Sequence, residues 1–248
     1  MRLTVVLPTY NEADNLRPMA EALLGLDLST FDVALNILVV DDNSPDGTGV
    51  LADELAAEYP SQLRVHHRAQ KQGLARAYLD AFARAIETGA DLVVQMDCDF
   101  SHQPADIAKL LEALDGADVV LGSRFCKGGG VDPNWALYRK LLSGFANRVY
   151  VPLLLGLPLR DATGGFRLWR ADVLGAIADP RIIRCSGYAF QVEMVYVARK
   201  LGYRMREVPI FFPDRVRGDS KMSLSIQLES AWQVPAMRFR HSNRKVRR

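Results

Sequence analysis

Between Leu3 and Gly122 the chain alternates short apolar runs with segments of helical periodicity, joined by brief polar turns. No other feature restricts the fold as strongly. Residues 3–8, 33–40, 63–67, 90–96 and 118–122 are too short for typical helices and together are rich in β-branched side chains. The segments between them read as helices, most clearly residues 73–88, where Leu74, Ala77, Tyr78, Ala81, Phe82 and Ala85 recur at helical spacing. Asn11 is expected to cap the first helix. Strand–helix alternation with short connections predicts an α/β fold whose mostly parallel central sheet is covered by helices.

After residue 122 the alternation stops. Residues 127–130 read as a glycine-rich flexible loop and 135–155 as a longer helical stretch. Strand-like pieces at 165–169 and 206–212 bracket a helix at 188–201. Residues 214–221 form a polar loop, and 223–241 a last helix expected to kink or break at Pro235. The expected division is one catalytic domain, residues 1–222, and a C-terminal amphipathic helix with a basic tail, 223–248.

With 49% hydrophobic and 24% charged residues, the composition is that of an ordinary folded domain. A net charge of +2 does not point to nucleic acid, and the basic residues crowd the C-terminus without interleaved stacking aromatics. Cys98, Cys126 and Cys185 are odd in number and lack metal-site spacing, which favours a reduced, cytoplasmic setting. No signal peptide is read at the N-terminus. The longest apolar stretch, 149–159, is about half of the roughly 20 residues a spanning helix needs.

Asp97-Cys98-Asp99 ends the apolar run at 90–96. In extended backbone, side chains two apart share a side, so Asp97 and Asp99 converge while Cys98 turns away. Paired carboxylates repel unless a cation lies between them, and hard oxygen ligands suit Mg²⁺ or Mn²⁺ completed by water and phosphate. Alone, an Asp-x-Asp at a strand end is as compatible with a solvated turn. Here polar clusters follow the other strands too: Pro8-Thr9-Tyr10-Asn11-Glu12, Asp41-Asp42 and Gly122-Ser123-Arg124. Open parallel sheets bind ligands at the carboxyl ends of their strands.

These clusters, with Val39–Thr48, resemble the inverting, nucleotide-sugar-dependent glycosyltransferases of family 2. Gly122-Ser123-Arg124-Phe125, Trp135 with Tyr138–Ser143, Thr163-Gly164-Gly165-Phe166-Arg167 and Arg215–Lys221 narrow the likeness to the polyprenol- or dolichol-phosphate mannose synthases. The resemblance implies a single nucleotide-diphospho-sugar transferase domain (GT-A-like, Rossmann-like). It implies mannosyl transfer from GDP-mannose to a polyprenyl phosphate, releasing GDP. By matching position, Pro8, Tyr10, Glu12, Val40 and Asp42 would hold the nucleobase and ribose, with the backbone of Cys98 beside the nucleotide. Asp97 and Asp99 would hold Mg²⁺ or Mn²⁺. Ser101 stands where some relatives place a glutamine as a further metal contact. Arg215 and Lys221 would grip the diphosphate, and Arg124, Arg139 and Ser143 would receive the acceptor phosphate. Asp97, Asp99 and Arg124 are the catalytic candidates.

Rival readings keep the scaffold but change the chemistry: a UDP-sugar donor, extension of a glycan acceptor, or a non-catalytic nucleotide-sugar-binding protein. His66, His67 and His102 lack partners at metal-ligand spacing and read as ordinary polar or core residues, whereas Lys71-Gln72-Gly73-Leu74 at a helix start fits a nucleotide contact and a capping turn about equally. In the last helix Ile226, Leu228, Trp232, Val234, Met237 and Phe239 accompany Arg238, Arg240, Arg244, Lys245, Arg247 and Arg248. That pattern fits either a docking helix or an interfacial anchor at the cytoplasmic face of a membrane.

Overall fold

The structure, a computed structural model, describes residues 1–187, 189–213 and 224–242, with side chains left aside over 224–230. The first half follows the alternation: β1 (Arg2–Thr9), α1 (Ala13–Leu24), β2 (Ala34–Asp41), α2 (Thr48–Glu58), β3 (Leu63–His67), α3 (Leu74–Glu87), β4 (Leu92–Gln95), α4 (Ile107–Glu112) and β5 (Val119–Ser123). Then come β6 (Gly130–Val131), α5 (Leu137–Phe145), α6 (Val151–Leu155), β7 (Arg167–Arg170), α7 (Ala171–Ile177), α8 (Ala189–Lys200), β8 (Met205–Pro209), β9 (Phe211–Phe212) and α9 (Leu224–Arg240). Among the described residues seven strands form one sheet in the order β3-β2-β1-β4-β7-β5-β8. Only β7 runs antiparallel, inserted between β4 and β5.

Side-chain alternation sends each strand into two cores. Leu3, Val5 and Leu7 of β1 pack with α1 residues Leu16 and Met19, whereas Val6 faces the opposite side with Tyr78 and Phe82 of α3. Both faces are therefore apolar, as a sheet covered by helices requires. The period persists past β4: Val94, Met96 and Cys98 enter one core, while Val93 enters the other.

Several local expectations are corrected. The N-terminus of α1 is not capped by Asn11, which adopts φ 57°. Instead Ser44 Oγ accepts from Asn11 N (3.0 Å), Thr48 Oγ1 from Glu12 N (2.9 Å) and Asp46 Oδ2 from Ala13 N (3.2 Å). The loop after β2 thus caps the helix after β1. Residues 127–130 are not simply a loop, because Gly130–Val131 pairs in parallel with Phe211–Phe212. Gly129 is demanded by a close approach: a Cβ there would lie 2.4 Å from the Ser123 carbonyl oxygen. Pro235 does not break α9. The Ala231 carbonyl that proline leaves without its amide partner accepts a hydrogen bond from the Tyr150 hydroxyl (2.8 Å).

The end of α9 is fastened to α8. Glu193 is fully buried and accepts from Arg184 N, Cys185 N, Arg240 and His241 at 2.6–2.8 Å. Burial alone would raise its pKa, but the His241 bond, the two amides and Arg240 together lower it from 4.5 to about 2. A depressed carboxylate stabilises the fold fully above its unfolded pKa and ceases to do so as pH falls through the folded one. We therefore expect the melting-temperature gap between wild type and Glu193→Gln to be widest near neutrality. It should narrow from about pH 4.5 toward pH 2; a gap independent of pH would refute the charge-based latch.

Candidate active site

The carboxyl edge of the sheet is built by residues distant in sequence. Pro8 and Val40 are register partners on β1 and β2. Asp41 and Asp42, adjacent in sequence, do different work. Asp41 is structural, receiving Ser44 N (3.0 Å), Ser44 Oγ (2.5 Å) and Thr9 Oγ1 (3.2 Å). Asp42 forms a buried ion pair with Arg68, whose Nε also reaches Asp80 (2.8 Å) and whose Nη2 reaches Gln72 (3.0 Å). Burial, the stronger influence, raises the Asp42 pKa while Arg68 opposes it. The Lys71 ammonium lies 3.6 Å from the centre of the ring of Tyr10, a candidate nucleobase contact. Glu12 Oε2 accepts from Asn15 Nδ2 (2.8 Å).

At the end of β4 the Asp-x-Asp is held by its surroundings. Tyr78 Oη lies 3.1 Å from Asp97 Oδ1, and burial, then Asp97 itself, pushes the phenol well above its ordinary pKa. Asp99 Oδ1 accepts from Ser101 N (3.0 Å) and Ser101 Oγ (2.5 Å), across a turn in which Phe100 has φ 60°. Ser101 thereby orients Asp99. Both carboxylates act on the same two side chains, Tyr78 and His102, and Cys98 is buried in the opposite core. Among the described residues no cluster of three or more His, Cys, Asp or Glu could hold a metal. Two hard carboxylates fit a divalent cation that takes further ligands from water and a diphosphate.

Next to Asp97 opens a cavity of about 300 Å³. Its polar lining consists of Asp97, His102, Arg124, Arg139, Ser143 and Thr163. Its other walls are Leu142, Phe145, Val151 and Tyr150 from α5–α6, Ala189 and Val192 from α8, and Ala231 and Val234 from α9. The three acceptor-phosphate candidates thus meet in one place. Arg139 stacks its guanidinium 3.6 Å from the centre of the Trp135 ring.

Arg124 is fixed by Asp161, a residue the sequence did not single out. Asp161 is fully buried and accepts from Arg124 N (2.9 Å), Nε (2.7 Å) and Nη2 (2.7 Å), and from Gly164 N (3.0 Å). Asn147 joins the same loop to the helix, donating to Thr163 Oγ1 (2.8 Å) and accepting from Thr163 N (3.1 Å). It lies in the widened π-turn Ala146–Tyr150 between α5 and α6, a distortion that often marks functional sites. Behind the cavity, buried Arg167 donates to the carbonyls of Gln191 and Ala162, both at 2.8 Å, and burial lowers its pKa to about 9.

His102 is buried, as expected of a core residue. Its Nδ1 accepts from Asp97 N (3.0 Å), and burial lowers its pKa, opposed by Asp97 and Asp99. His67 is a surface partner of Asp53 (2.8 Å). Arg215 and Lys221 lie outside the described residues.

The model for Glycosyl transferase family 2 matches residues 4–177. An undecaprenyl-phosphate mannosyltransferase of Micrococcus luteus is 46% identical over 94% of this chain and 93% of its own length. A polyprenol monophosphomannose synthase of Mycolicibacterium smegmatis is 43% identical over 94% of this chain and 85% of its own. Mannosyl-3-phosphoglycerate synthase from Rubrobacter xylanophilus superposes with a TM-score of 0.68 at 21% identity, covering all of this chain and 77% of that one. Glucosyl-3-phosphoglycerate synthase from Mycobacterium tuberculosis, solved with Mn²⁺, UDP-glucose and phosphoglyceric acid, gives 0.65 at 20% identity over 97% and 80%. Those two likenesses concern the fold. The family match over most of the sheet and site, with two near-full-length relatives, establishes that the chain belongs to glycosyl transferase family 2.

Proposed function

We propose that this glycosyltransferase moves mannose from GDP-mannose to a polyprenyl phosphate, inverting the anomeric carbon and releasing GDP. The cavity carries the reading: its lining joins Arg124, Arg139 and Ser143 to apolar side chains from α5, α6, α8 and α9. An acceptor with an anionic head and an isoprenoid tail has that same polarity. The names of the two near-full-length relatives support both the sugar and the acceptor.

In this reading Asp97 and Asp99 hold Mg²⁺ or Mn²⁺, which offsets the charge that develops on the leaving diphosphate. Tyr78 and Ser101 keep the two carboxylates oriented before substrate arrives. Pro8, Tyr10, Glu12, Val40, Asp42 and the Cys98 backbone receive the nucleoside, and Arg215 and Lys221 are assigned to the diphosphate. Ser101 is assigned to Asp99 before the metal. The acceptor phosphate, with a second pKa near about 6, is already largely ionised at neutral pH. Arg124 and Arg139 therefore need to position it, and no general base is required.

Incubating the protein with Mg²⁺, a short polyprenyl phosphate and GDP-mannose, UDP-glucose or UDP-galactose in parallel tests the reading. Transfer from GDP-mannose is expected. Transfer from a UDP-sugar alone would replace the donor assignment, and nucleotide binding without transfer would point to a binding protein.

No described helix is long and apolar enough to cross a membrane. A peripheral contact is supported by Leu137, Leu141, Phe145, Val149 and Leu153, which recur every fourth residue along α5–α6 and are 47–76% exposed. On α9, Val234 and Met237 are buried, while Trp232 and Phe239 are about four-fifths exposed at 81% and 79%. The bilayer contact is thus assigned jointly to α5–α6 and α9. Leu141→Ser with Leu153→Ser should weaken binding to anionic vesicles at least about tenfold, since each lipid-buried leucine contributes about 1.5 kcal/mol or more. Unchanged co-sedimentation would remove this surface from the model of action.

A further inference from the structure

His102 occupies an unusual position for a residue with only 2% of its surface exposed. Its Nδ1 lies 3.0 Å from Asp97 N. An amide can only donate, so Nδ1 is the accepting nitrogen and the neutral ring carries its proton on Nε2. The ring is held against Phe166 (centroids 5.2 Å, planes 20° apart) and against the edge of Phe212 (5.5 Å, 75°). It is not free to turn. The backbone at Gly165 packs beside the ring: a Cβ there would stand 3.4 Å from His102 Cε1 and 3.9 Å from Asp97 Oδ1.

The second nitrogen remains without a stated task. Among the described residues Nε2 has no hydrogen-bond partner, and the side chain lines the cavity. Around it the polar lining consists largely of donors: Arg124, Arg139, and the hydroxyls of Ser143 and Thr163. A group of donors converging on one region is the surrounding that an anion requires. We infer that His102 Nε2–H donates a hydrogen bond to a phosphate oxygen of the lipid acceptor, an assignment that rests on the acceptor reading above. One rigid imidazole then ties the backbone of a metal-holding aspartate to the nucleophile. It sets their separation without adding a charge beside the metal.

Two substitutions separate the nitrogens. His102→Asn places an oxygen near the Nδ1 position, preserving an acceptor for Asp97 N, but ends short of Nε2. His102→Gln reaches the Nε2 position with an amide donor and gives up the acceptor. Binding of a short polyprenyl phosphate by calorimetry, without donor sugar, should weaken about tenfold in His102→Asn. Its KM for the acceptor should rise similarly, with KM for GDP-mannose within twofold. His102→Gln should recover acceptor affinity to within about threefold while lowering the melting temperature and kcat.

Wild-type acceptor affinity in His102→Asn, an equal rise in both KM values, or no recovery in His102→Gln would overturn the assignment while leaving the proposed function intact. If the wild-type protein neither binds polyprenyl phosphate nor transfers sugar to it, the acceptor reading fails and the assignment fails with it.

Discussion

Asp99→Asn is expected to lower metal-dependent transfer by about three orders of magnitude while leaving the fold nearly as stable as wild type. The substitution keeps an oxygen for Ser101 N and Oγ, both of which now donate to Asp99 Oδ1. It removes the charge that makes the site attractive to a divalent cation. Asp99→Ala should match it in activity but also lose stability, because two donors in a buried turn are left without an acceptor at about 1–3 kcal/mol. The pair of variants therefore separates the carboxylate's charge from its part in the turn. Asp97→Asn should behave like Asp99→Asn, since Tyr78 still finds an oxygen within reach. Initial rates titrated with Mg²⁺ and Mn²⁺, alongside thermal melts, make the comparison. Near-normal turnover in Asp99→Asn at ordinary metal concentrations would remove the central claim about this site.

What the sequence disclosed and what it hid divide along a physical line. The first five strands and their helices are legible because period-2 and period-3.6 patterns are local properties of the chain. The same parity correctly sends Cys98 into the core opposite Tyr78, three residues beyond the end of β4. Strand β7 is four residues long, and nothing local states that it runs antiparallel between β4 and β5. Helix α7 follows it immediately and was passed over because no turn signal separates the two. The first helix illustrates the same limit: Asn11 has a capping side chain, yet Ser44, Asp46 and Thr48 supply the acceptors from another loop. The site obeys the rule as well. The residues proposed to face substrate sit in recognisable clusters, whereas Arg68, Asp161 and Asn147 hold some of them in place and carry no motif visible along the chain. The surroundings of His102 are not legible along the chain, because they depend on an amide five residues away and on two phenylalanines distant in sequence.

Asp161→Ala should be the most damaging single change away from the metal site. Arg124 has a side chain only 10% exposed and Asp161 is wholly buried, so the variant takes a buried counter-charge away from the guanidinium. Breaking a buried pair by removing one partner costs about 3–5 kcal/mol, which for a chain of this size lowers the melting temperature by about 10 °C. The amides of Arg124 and Gly164 lose their acceptor at the same time. Loss of activity in this variant alone would say little, because a loosened loop and a misplaced arginine have the same result. The decisive comparison adds Arg124→Met. Removing both charges should restore part of the lost stability, since a buried pair is often replaceable by apolar groups. It should not restore transfer if Arg124 orients the acceptor phosphate. Recovery of transfer with stability would reduce the Arg124–Asp161 pair to a structural tie and leave acceptor binding to Arg139, Ser143 and His102.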